Sequence, residues 1–87
     1  MLEELKRYLK ITWEDEDDAL TEFLQAGQAY LRSITGQEIH FEEDAQARAL
    51  LMDYARYRYH NVIEEYEGSF ASLLLNLQIR YGIEAMG

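Results

Sequence analysis

Two histidines, His40 and His60, are the side chains here whose unperturbed pKa lies near neutrality, and they fall in different segments. His60 and Glu64 stand four residues apart, one helical turn, and offer two metal ligands. Zinc needs a third protein ligand, and no HExxH or similar pattern supplies it. A solvated polar strip accounts for the pair. Ser69 has no histidine at a recognisable spacing to activate it, and a helix N-cap role explains it. The five glycines are scattered, and none belongs to a phosphate-cradling GxGxxG or GxxxxGK[ST] loop. The acidic run Glu14–Asp18 lacks the alternating ligands, mid-loop glycine and closing glutamate of an EF-hand. Together with Glu42–Asp44 it marks helix starts, where the positive dipole end favours carboxylates. No catalytic, cofactor or metal site is read from these residues, and the chain is not expected to be an enzyme.

The stretch Tyr54-Ala55-Arg56-Tyr57-Arg58-Tyr59-His60 interleaves aromatic and basic side chains, a composition able to stack on bases. On a helix these residues radiate in all directions and make no platform. Arg58 falls inside an apolar arc near Leu51 and Tyr54. It is expected to pair with a carboxylate or stack on a tyrosine.

The elements that position such residues follow from composition and period. The chain has 87 residues, 48% hydrophobic and 29% charged, with seven tyrosines among its eleven aromatic rings. That apolar content argues against disorder, and the length supports one domain, residues 1–87. With no cysteine there are no disulfides and no thiolate chemistry. With no proline, long uninterrupted helices are favoured. Seventeen acidic residues against eight basic give a net charge of −9, the wrong sign for neutralising phosphates. No signal peptide precedes the first charged residues and no run is long enough to span a bilayer, so the expected location is intracellular.

Four helices are expected, an all-α small bundle with two longer central helices. The first, Leu2 to about Leu9, is barely two turns and must dock to persist. Thr12 and Asp15 resemble a variant capping box ahead of the second, about Glu16 to Thr35, which ends at Gly36. Leu20, Phe23, Leu24, Gly27, Tyr30, Leu31 and Ile34 share one face of it. Gly27 in that face predicts close approach by another helix, since glycine there otherwise costs about 1 kcal/mol. A short connection, Gln37 to Phe41, leads to a third helix from about Glu43 to Tyr66, which would run about 35 Å if continuous. Ser69 is expected to cap a last helix ending near Tyr81, with Phe70, Leu73, Leu74, Leu77 and Tyr81 facing the core. Residues 82–87 read as a flexible C-terminal tail.

This assignment leaves too much hydrophobe for one small core. Leu75 and Ile79 point nearly opposite the core face of the last helix, and Met52 and Ile63 widen the arc of the third. Surplus of this kind marks protein contacts. Met52, Ile63, Leu75, Ile79 and Arg80 are therefore the candidate oligomer and partner interface.

Leu5-Lys6-Arg7-Tyr8-Leu9-Lys10-Ile11, the acid-rich Trp13-Glu14-Asp15-Glu16-Asp17, and Phe23-Leu24-Gln25-Ala26-Gly27-Gln28-Ala29-Tyr30-Leu31 ending in Thr35-Gly36 follow one another in a distinctive order. With the leucine-rich Phe70 to Tyr81 segment, this order resembles the head–tail connector family of tailed phages and prophages. The resemblance spans nearly the whole chain and rests on soft patterns. It departs at Gln78-Ile79, where the family more often has a single leucine before the arginine. It implies a helical adaptor that forms a homo-oligomeric ring beneath the portal protein, extends the DNA channel and docks the tail-completion (stopper) protein. DNA would pass through the lumen without specific binding, and the acidic balance suits that. The implied location is the head–tail junction of the virion, with the host cytoplasm before assembly. No cofactor and no membrane partner is expected. The alternative reading, drawn from the acidic runs, is a small acidic inhibitor or DNA mimic that binds a host nucleic-acid enzyme.

Overall fold

In the computed structural model, which describes residues 1–86, the chain is all-α, 75% helical and without strands. Its order is α1 (Leu2–Leu9), α2 (Asp17–Thr35), α3 (Ala45–Tyr59), a 3₁₀ turn (Ile63–Glu65), α4 (Tyr66–Ser69) and α5 (Ala71–Met86). α2 and α3 form the central pair, and α1 and α5 each pack against both.

α1 ends at Lys10, which takes the left-handed conformation at φ 61°. The Ile11 amide then returns to the Lys6 carbonyl at 2.8 Å and the Lys10 amide to Arg7 at 3.2 Å. This is a Schellman closure, made here without glycine. It buries Ile11 and turns the chain back so that Leu5 and Lys6 are covered. The Lys6 ammonium meets Asp17 in the first turn of α2 at 2.8 Å. That contact docks the two-turn helix, and the hydrogen bond holds the Lys6 pKa above its ordinary value. Thr12 and Asp15 do not form the expected capping box, because no side chain caps α2. Instead Glu16 accepts from Trp13 Nε1 at 2.6 Å and from the Tyr59 hydroxyl at 3.0 Å, tying this turn to the end of α3.

The third helix is shorter than the broad apolar arc implied. It stops at Tyr59 because Asn61 adopts φ 61°. The Val62 amide reaches the Tyr57 carbonyl at 2.9 Å and the Asn61 amide reaches Arg58 at 3.1 Å, a second Schellman closure. His60 and Glu64 therefore do not share a helix, and Tyr66 re-enters from a separate element. Ser69 closes α4 and does not cap the last helix, which starts one residue beyond Phe70. That last helix also runs past Tyr81 through Gly82 to Met86, so residues 82–86, expected as a tail, extend it. Gly87 lies outside the described residues.

The core is a single cluster built on Leu5, Leu20, Leu31, Ile39, Leu51, Tyr66 and Leu77. At its centre Gly27 permits α2 and α3 to meet: a Cβ there would lie 2.6 Å from Leu51 Cδ1 and 2.9 Å from Tyr54 Cδ1. Leu51 is fully buried and Tyr54 is fixed among rings, stacked on Tyr30 at 5.4 Å and edge-on to Tyr66 at 5.2 Å. Tyr66 in turn donates to the Leu50 carbonyl at 2.7 Å and packs on Phe70 at 4.9 Å.

Gly27→Ala gains about 1 kcal/mol of helix propensity but overpacks the crossing by about 1–3 kcal/mol. The expected outcome in urea unfolding is a lower midpoint than wild type. An equal or higher midpoint would mean that Leu51 and Tyr54 can give way.

Candidate interaction surface

α5 uses one face for the core and leaves the other uncovered. Leu74, Leu77 and Tyr81 are buried, while Leu75, Ile79 and Ile83 stand 56%, 52% and 64% exposed. Their four-residue spacing places these three in one stripe along the helix, directly opposite the buried set. From Ala71 to Ile79 the helix carries no ionisable side chain, so the stripe is also electrically neutral.

The anchor that holds α5 in this orientation is Asp44. As the N-cap of α3 it accepts the Ala47 amide at 3.0 Å, satisfying a donor that the helix cannot. Arg80 donates through Nη2 to both Asp44 oxygens, at 2.9 and 2.8 Å, and through Nε to Gln46 Oε1 at 3.1 Å. The Tyr81 hydroxyl donates to Oδ2 as well. Burial pushes the Asp44 pKa up, but the hydrogen bonds from Tyr81, Ala47 and Arg80 outweigh it and leave the carboxyl below its ordinary value. On the other side, burial and the same bond to Asp44 push Tyr81 up to about 12. At the far end of the contact, Gln78 donates to the Ile34 carbonyl at 3.1 Å and fastens α5 to the last turn of α2.

Of the five residues expected at an interface, Leu75 and Ile79 lie together on the exposed stripe. Met52 does not: at 6% exposure it belongs to the core, with α1 packed beside it, and only its edge shows in a groove between α1 and α3. Ile63 sits in the 3₁₀ turn, partly buried against the core and away from α5's outer face. Arg80 is committed to Asp44 and Gln46, so it supports the stripe without belonging to it. Sequence reasoning misses Ile83, which continues the Leu75–Ile79 spacing, because Gly82 reads as the end of the helix. It also misses Asp44 as a cap, although an aspartate immediately before an apolar run is an N-terminal signal.

The Tyr–Arg stretch makes no basic platform. Arg58 stacks over Phe23 at 5.4 Å, an aromatic partner as expected, though not a tyrosine. Arg56 pairs with Asp53 at 3.2 Å and lies over Tyr57 and Tyr8 at 5.0 and 5.9 Å. Among the described residues no group of three or more histidine, aspartate or glutamate side chains is placed to hold a metal ion. No helix among them is long and apolar enough to cross a membrane.

The family model described as phage gp6-like head-tail connector protein matches residues 1–80. The chain belongs to that family. The match covers α1 through α4 and most of α5, including Leu75, Ile79 and Arg80, and the resemblance read from the sequence is thereby borne out. Membership makes this a structural phage connector protein and associates it with the portal and tail proteins of the head–tail junction. No curated protein and no solved structure matches the chain. What the connector fold supplies here is therefore a neutral apolar stripe held in place by a partly buried aspartate.

Because the Asp44 pKa is lower folded than unfolded, its ionised form adds stability that is full above the unfolded value of about 3.9. That stability is lost as pH falls through the folded value. Asp44→Asn should cost about 1–3 kcal/mol at pH 7, with the gap to wild type closing as pH drops below about 4. Urea midpoints measured from pH 7 to pH 3 would show this. A gap that stays constant would mean that the charge of Asp44 contributes nothing.

Proposed function

We propose that this connector assembles into a closed ring beneath the portal vertex, extends the DNA channel and docks the tail-completion protein. The observation that carries the reading is the family match over residues 1–80. The uncovered α5 stripe agrees with it, since ring subunits each need an apolar face for a neighbour. On this reading the chain is made in the host cytoplasm and ends at the head–tail junction.

The charge distribution supports a channel that DNA crosses without sticking. Arg32 is held by Glu38 at 3.2 Å and stacks over Phe41, and Arg48 is held by Glu4 at 3.4 Å and the Glu42 carbonyl at 2.8 Å. Together with Arg56, these cations are neutralised within the subunit, which leaves a net charge of −9 to repel phosphate. The DNA-mimic reading has less behind it. Glu16 and Asp17 of the first acidic run serve Trp13, Tyr59 and Lys6 within the fold, and mimicry needs carboxylates free to face an enzyme.

Affinity capture of the tagged chain from its induced host, read by mass spectrometry, should recover the portal and tail-completion proteins. Leu75→Asp with Ile79→Asp should abolish assembly into virions, whereas Asp15→Asn with Asp18→Asn should leave it intact. Recovery of a host DNA-handling enzyme with no virion protein, lost in the Asp15/Asp18 variant, would overturn the connector reading in favour of the mimic.

A further inference from the structure

The large apolar side chains that the fold leaves exposed fall on two separate faces. Leu75, Ile79 and Ile83 share the outer face of α5, with Leu73, expected in the core, 46% exposed on its flank, and Met1, Tyr8 and Trp13 lie on α1 and the segments flanking it. Beside Tyr8, a groove between α1 and α3 is lined by Tyr8, Ala49 and Met52, with Glu4, Arg7 and Asp53 also contributing. The two faces do not overlap. α1 meets α3 through Glu4–Arg48 and Tyr8–Asp53, whereas α5 meets it through Asp44 and Gln46.

We infer that the α5 stripe of one copy seats in the α1–α3 groove of the next copy. Three features of the surface select a second copy as the occupant. First, Leu75, Ile79 and Ile83 form an i, i+4, i+8 ridge about 12 Å long at 1.5 Å per residue, the kind of ridge that packs into a groove on a helical surface. Second, two copies each carrying −9 repel, so they can meet closely only through a neutral patch. The outer face of α5 is one such patch, free of ionisable groups until Arg80, which Asp44 holds, and in the groove Glu4 is paired with Arg48 and Asp53 with Arg56. A basic partner would be drawn to the acidic runs and not to this helix. Third, a foreign partner on the stripe would leave the groove and its aromatic flank uncovered, whereas a head-to-tail neighbour covers both. Such a heterologous contact leaves one ridge and one groove free at the ends, and closes into a ring when the rotation permits. Closure rests on the connector reading; the contact between the two faces is testable apart from it.

The chain has no cysteine, so single thiols can be placed without background. Ile79→Cys marks the ridge and Ala49→Cys the groove, and both positions are exposed. Purified full-length variants mixed in equal amounts under mild oxidation should give a 79–49 disulfide, identified by mass spectrometry. That species should stand well above the one-half share that random encounter would produce, and the double variant should give a ladder of multimers. Ile83→Asp in the double variant should remove the ladder while circular dichroism stays helical. A predominant 79–79 bond would mean a back-to-back contact and would overturn the inference. So would the absence of any enriched 79–49 bond, in which case the stripe belongs to the portal or tail protein. Capture of the portal by the unmodified chain decides the connector reading independently of these outcomes.

Discussion

The contact between α2 and α3 at Gly27 governs where every other helix lies. Without a Cβ at that position, Leu51 and Tyr54 press against the α2 backbone, and the pair closes to a distance that any side chain would prevent. Tyr54 then becomes one wall of an aromatic cluster with Tyr30 and Tyr66. Tyr66, 1% exposed, carries the geometry onward. Its ring meets Tyr57 and Phe70, and its hydroxyl takes the Leu50 carbonyl. Burial raises the Tyr66 pKa, so the hydroxyl stays a donor at any ordinary pH. Phe70 lies immediately before α5, so the tyrosine cluster fixes where that helix begins. Asp44 and Arg80 fix its other half. The direction in which Leu75 and Ile79 face follows from a glycine on a different helix.

The acidic residues divide between those the fold consumes and those it leaves to solvent. Asp17 receives Lys6, Glu16 receives two aromatic donors, Asp44 receives an amide, an arginine and a tyrosine, and Asp53 receives Tyr8 and Arg56. These are charge-assisted bonds, most of them partly buried, the kind with the strength to hold short helices in place. Three of the eight basic residues, Lys6, Arg56 and Arg80, are spent in the same contacts. The net charge is therefore carried by carboxylates on the outside, such as the exposed Glu14, Asp15 and Asp18.

Local pattern made α1 and α2 legible almost to the residue. Their apolar spacing, and Gly36 after Thr35, are signals contained in one stretch of chain. Gly27 was legible too, as a cost requiring a reason. The errors arose where a distant residue decided the outcome. The third helix looked continuous because Val62, Ile63 and Tyr66 keep its numerical phase, yet Asn61 supports a left-handed turn that breaks it. Met52 looked surplus because nothing local reveals that α1 folds back over α3. Gly82 looked like a stop, since glycine is a common helix terminator, but the Arg80 and Tyr81 bonds to Asp44 hold the turn before it across 36 and 37 residues of sequence. Of the candidate site, Leu75 and Ile79 emerged from periodicity alone. Arg80 was named for the surface and turned out to be its support.

An exposed stripe of Leu, Ile and Ile is a hazard for a free subunit, and the remaining surface offsets it. At physiological ionic strength charges are felt over about 8 Å, so carboxylates elsewhere on the bundle repel an approaching copy until the neutral stripe meets the charge-paired groove. Orientation then matters more than encounter. A misaligned copy meets like charge, whereas an aligned one brings apolar surface together, worth about 25 cal/mol for each Å² removed from water. In the proposed ring this balance favours one contact geometry over general aggregation, and it accounts for two features that seem opposed in one short chain. The strong acidity keeps the subunit dispersed, and the neutral outer stripe of α5 gives it a defined surface for contact.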